Sequence, residues 1–169
     1  MRQRGFTLLE LLIGVVVLAI FTIIAIPVFS SAINCDEPDS RPGPLMRAKI
    51  SQVISELVMI NLKATRFETN NRRFPDSIEE LGLDSDAATD AWGQPYVFTD
   101  LTELDGVGKA RKDHNLHPVN KYFDVYSVGP DGETATPFTS TGGKDDLVMA
   151  DDGNYFGFAC HYNGSGKNK

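Results

Sequence analysis

Two cysteines, Cys35 and Cys160, are all that this chain holds, and neither heads a metal or haem motif. Cys160-His161 lacks the preceding cysteine of a C-x-x-C-H site. Basic charge is also scarce. Sixteen Lys and Arg stand against 23 Asp and Glu, a net charge of −7, which excludes nucleic acid as a partner because neutralising phosphates needs a basic surface. Catalytic signatures are missing as well: there is no G-x-S-x-G, no H-E-x-x-H and no Cys-His nucleophile pattern. The pair Asp145-Asp146 is a conceivable acid-base unit beside His114 or His117, but both histidines fall in a polar stretch without strand or helix periodicity. The chain reads as a non-enzyme.

A long apolar run occurs once, from Phe6 to Phe29, and a single carboxylate, Glu10, interrupts it near its start. Its 24 residues make a helix of about 36 Å against a hydrocarbon core of about 30 Å, enough for one span. An ionised acid inside that span costs about 3 kcal/mol on insertion scales, so a partner is expected. Cleavage after Gly5 would supply one, the ammonium of a new terminus at Phe6. That ammonium lies four residues from Glu10, about 6 Å along the axis. A helix does not readily fold its terminus back by one turn, whereas a parallel neighbour shifted axially presents its terminus directly. Such a pair repeats head to tail and builds a filament. Two plainer readings compete. One is a simple anchor; the other is a secretory signal, with Arg2 and Arg4 as its basic region and Ser30-Ser31-Ala32 as its cleavage site. All three place the start in the cytoplasm and the remainder outside.

The organisation expected is a leader at 1–5, a transmembrane or filament-core helix at 6–33, a linker or insertion at 34–45, and an extracytoplasmic domain at 46–169. Pro38, Pro42, Gly43 and Pro44 mark the linker. Ile50, Val53, Ile54, Leu57, Ala64 and Phe67 then recur at helical spacing and predict an amphipathic core-packing helix. Phe74 to Gly82 reads as a short capped helix. Strand-compatible segments follow at Tyr96 to Thr99, Tyr122 to Val128, Leu147 to Ala150 and Tyr155 to Ala159. Asp90 to Tyr96 is a turn in which Gly93 allows positive φ and Trp92 packs. Helix first and sheet after is an α+β order.

The acidic loop has a chemistry of its own. Asp131, Asp145 and Asp146, with the Ser127 hydroxyl and the Val128 carbonyl, supply the oxygens that Ca²⁺ takes; the alternative is that these aspartates are turn formers on a solvated loop. The EF-hand spacing is absent. Cys35 and Cys160 are candidates for a disulfide. It would close a loop of well over 100 residues, for which the chain-entropy model gives about 5 kcal/mol.

Residues 1–10, a basic leader ending in Gly5 and then Phe6-Thr7-Leu8-Leu9-Glu10, resemble the type IV pilin and type II secretion pseudopilin precursors. The resemblance implies cleavage by a prepilin peptidase after Gly5, N-methylation of Phe6, and registration of incoming subunits by Glu10. Asp90-x-Trp92-Gly93-x-Pro95-Tyr96, Tyr126-Ser127-Val128-Gly129-Pro130-Asp131-Gly132 and Gly142-Gly143-Lys144-Asp145-Asp146-Leu147 look more specifically like the major pseudopilin. That family implies calcium in the matching loop, on Asp131, Asp145 and Asp146 with Ser127 and Val128. It also implies a homo-oligomeric filament with other pseudopilins, and an assembly platform in the inner membrane with the C-terminal domain in the periplasm. A type IV pilin and a monomeric membrane-tethered calcium-binding module remain as alternatives. Departures are Ala91 where proline is usual, the segment 34–45, a longer loop from Asp105 to Asn120, and the tail bearing Cys160.

Overall fold

The computed structural model describes residues 8–17, 42–102 and 108–164. Gly5, Phe6, Cys35, Pro27 and most of the 34–45 segment lie outside the described residues. Residues 8–17 form helix α1, which carries Glu10 and is exposed along its length. Among the described residues no helix is long and apolar enough to cross a membrane.

Helix α2, Pro44–Asn71, starts inside the stretch expected as linker, with Pro44 in its first turn and Gly43 as N-cap. Proline suits that position because its missing N–H would have no helical partner there. At the other end Arg72 adopts a left-handed conformation (φ 58°), and its N–H closes on the Glu68 carbonyl. Val53, Leu57, Ile60 and Ala64 are fully buried, with Ile50, Ile54 and Phe67 packed around them. This is the expected stripe with Ile60 added. The short helix expected near Phe74 is a 3-10 turn, Ile78–Leu81, ended by Gly82 at φ 61°. Its start is held by Glu80, which accepts the Asp76 N–H and pairs with Arg73; the Ser77 side chain makes no capping bond.

Strands β1 (Val97–Asp100), β2 (Phe123–Ser127), β3 (Leu147–Ala150) and β4 (Tyr155–Phe158) form one antiparallel sheet in the order β1-β2-β3-β4. All four fall within one residue of the segments expected. The fold is α+β.

The sheet is covered on both faces. Phe123, Val125, Leu147 and Met149 face α2 in the main core, while Val148 and Ala150 join Val119, Phe138, Ala159 and Tyr162 in a second cluster on the opposite face. This explains why β3 is apolar at every position, since a strand buried on both sides has no polar alternation. The second cluster is roofed by the long loop. Across residues 111–138 Val119 N–H bonds the Arg111 carbonyl, Lys112 N–H the Thr136 carbonyl, and Phe138 N–H the Lys112 carbonyl.

Candidate functional site

The loops at the end of β2 and the start of β3 bring the acidic residues together. Ser127 closes β2, and its hydroxyl is engaged inside the turn: it donates to Asp90 Oδ2 at 2.5 Å and accepts the Gly129 N–H at 3.1 Å. Asp90 also accepts the N–H groups of Trp92 and Gln94, so one carboxylate ties the Trp92 turn to the strand end. Gly129 has φ 72°, and a Cβ there would stand 2.6 Å from the Asp145 carbonyl oxygen. Only glycine allows this approach, which seats the 129–133 loop on Asp145. Asp131 Oδ1 accepts the Glu133 N–H.

Asp145 is half-buried, and its carboxyl is raised above the usual range, first by burial and then by the charge of Asp131. Asp131 and Asp145 are thus two carboxylates close enough to repel, with the Val128 carbonyl in the same turn.

Asp146 faces elsewhere. It is fully buried, and its Oδ2 accepts Arg111 Nη2 at 2.5 Å and Thr134 Oγ1 at 2.7 Å. Thr134 Oγ1 in turn accepts Arg111 Nη1 at 2.6 Å. The Arg111 guanidinium is 3% exposed and lies over two rings, 4.4 Å from the Tyr126 centroid and 5.2 Å from that of Phe138. The pairing is end-on: Arg111 Nε and Asp146 Oδ1 have no hydrogen-bond partner among the described residues. Burial pushes the Asp146 carboxyl up to about 7, against the pull of Arg111 and Thr134.

Beneath this pair sits Asp124 in β2. Its Oδ2 accepts the Arg111 backbone N–H at 2.6 Å and its Oδ1 accepts Asn120 Nδ2 at 2.8 Å; Asn120 also reaches the Met149 carbonyl.

The sequence reading gathered Asp131, Asp145, Asp146, Ser127 and Val128 into one set of oxygen ligands, and the structure brings Asp131 near enough to Asp145 to raise its carboxyl. It divides them from Asp146, whose neighbour is Arg111, and from the Ser127 hydroxyl, whose neighbours are Asp90 and Gly129. Among the described residues no three His, Cys, Asp or Glu side chains converge as a metal-holding group. Cys160 is disulfide-bonded, and its backbone N–H bonds the Lys144 carbonyl beside this site. Arg111, Thr134 and Asp124 escaped the sequence reading. For Asp124 a signal existed, an acid in the middle of a strand, where acids are depleted. Arg111 lies among polar residues of a loop and had none.

A family model described as the prokaryotic N-terminal methylation motif matches residues 1–26. The type II secretion system core protein G of Dickeya chrysanthemi is 25% identical over 150 residues, covering 78% of this chain and 80% of its own length. Its counterpart in Klebsiella pneumoniae is 25% identical over 134 residues, covering 78% and 87%, and that of Escherichia coli K12 is 22% identical over 154 residues, covering 80% and 87%. No solved structure matches the chain. With the methylation motif at its start and likeness to core protein G running through the α+β domain behind it, this chain is similar to the pseudopilins of the core protein G type.

Proposed function

We propose that the chain is a structural subunit of a type II secretion pseudopilus, held in the cytoplasmic membrane by its N-terminal helix until it enters the filament. The observation that carries this is the coupling of the two likenesses in one chain: the methylation motif over residues 1–26 and core protein G over about four fifths of the sequence. The role is architectural.

Assembly rests on Glu10. In lipid its charge is unfavourable, and an incoming subunit relieves this when the Phe6 ammonium of its neighbour reaches the carboxylate. A prepilin peptidase creates that ammonium by cutting after Gly5, and methylation leaves its charge in place. Glu10 lies on α1, one turn from where that terminus would form. Calcium enters this reading for Asp131 and Asp145 with the Val128 carbonyl, a pair supported by the raised Asp145 carboxyl.

The test is the mature terminus together with one substitution. Mass spectrometry of the membrane-extracted chain is expected to show methylated Phe6, and a terminus at Ile33 would overturn the reading in favour of an ordinary secretory signal. Glu10→Ala is expected to be cleaved and inserted normally yet to drop out of sheared filaments. Normal filaments from that variant would sink the charge-pairing mechanism.

A further inference from the structure

The long loop departs from the pseudopilin pattern, and it delivers the buried Arg111 side chain across the sheet face to Asp146. We propose that the Arg111 guanidinium is a built-in counter-ion that does for Asp146 what a bound calcium would do, so that this domain folds without metal. The proposal rests on the core protein G reading of the acidic loop and goes beyond it.

Three observations carry it. Asp146 is wholly removed from water, and a carboxylate so placed needs a positive partner. The partner is already present, and it is fixed by more than its charge. Thr134 bridges Arg111 Nη1 to Asp146 Oδ2, Tyr126 and Phe138 lie against the guanidinium, and Asp124 holds the Arg111 backbone N–H. A planar, weakly hydrated guanidinium suits that slot between rings better than an ammonium would. Finally, a metal that drew Asp146 toward Asp131 and Asp145 would leave Arg111 buried between two aromatic rings without its anion. Breaking a buried pair by removing one partner is costly. Whatever cation gathers at Asp131 and Asp145, the ordering of Asp146 and of the residues 134–138 that contact Arg111 does not wait for it.

The experiment is thermal unfolding of the purified full-length chain in detergent, in excess EDTA and in millimolar calcium. The wild type is expected to fold and melt cooperatively in EDTA, no more than about 5 °C below its melting temperature in calcium, the difference being what binding at Asp131 and Asp145 adds by mass action. Arg111→Met is expected to lower the melting temperature by about 6 °C or more, because Asp146 is left buried and unneutralised. Adding Asp146→Asn to that variant is expected to restore much of the loss, which a purely packing role for Arg111 would not produce. A wild type that loses more than about 5 °C in EDTA and regains it with calcium would overturn the proposal; so would a double variant no more stable than Arg111→Met. Neither result touches the maturation of Phe6, so failure here is distinct from failure of the filament reading.

Discussion

Asp124 carries more of the pH response than its position in a short strand suggests. Burial pushes its carboxyl from 3.8 up to about 6, against the stabilising bonds from the Arg111 N–H and Asn120. The folded chain therefore holds this proton more tightly than the unfolded chain. The contribution to stability is fully present below about pH 4 and is lost as pH rises through about 6. A shift of that size corresponds to about 3 kcal/mol. Denaturant unfolding at pH 4 and at pH 6.5 is expected to show the wild type losing about 2 kcal/mol more stability than Asp124→Asn over the interval, whatever the starting stability of the variant. Equal slopes for the two proteins would mean that Asp124 titrates as an exposed acid. The acidic residues show how far a sequence can be read at this scale. The Gly129-Pro130-Asp131 turn and Asp145 were legible because turn chemistry is local. The fate of Asp146 was not, because its partner lies 35 positions away in a loop without periodicity.

At the scale of elements, the period of the apolar residues fixed what formed and where. The α2 stripe follows helical spacing, and its buried members Val53, Leu57, Ile60 and Ala64 recur at intervals of four, three and four. Two leucines on this helix make opposite predictions. Leu57 is fully buried against the sheet, so Leu57→Ala is expected to cost about 2 to 5 kcal/mol, from lost transfer energy plus the cavity left behind. Leu62 is 68% exposed, and Leu62→Ala is expected to fall within about 0.5 kcal/mol of the wild type. Urea unfolding of the isolated variants reads both, and similar losses would mean that α2 does not pack on the face assigned to it. The strands were legible for the same reason as the helix, each being a short β-rich run between Gly, Pro and Asp. The roof over the second cluster was not. Residues 111–119 pair through isolated bridges at Lys112 with Pro118 and with Pro137, and prolines in a polar stretch read simply as loop.

For the whole molecule the remaining question is how the C-terminal tail is tied to the rest. The tail is already pinned beside the buried ion pair, where the Ala159 N–H bonds the Asp146 carbonyl and the Cys160 N–H the Lys144 carbonyl. Cys160 is disulfide-bonded, and the sequence offers one other cysteine, Cys35. A bond between them would join the segment that follows the N-terminal apolar run to the end of the sheet, and it would persist in an oxidising compartment. Chain entropy gives such a closure about 5 kcal/mol, and in a domain of this size that translates to a melting shift of about 10 to 20 °C at most. A non-reducing peptide map is expected to contain a Cys35–Cys160 linked pair, and Cys160→Ser or treatment with reductant is expected to lower the melting temperature within that limit. A map that instead links Cys160 to Cys160 of a second chain would remove the intramolecular tie, and the stability of the tail would then have to come from its two backbone bonds, the bond that the Tyr162 hydroxyl donates to Asp151, and the packing of Ala159 and Tyr162.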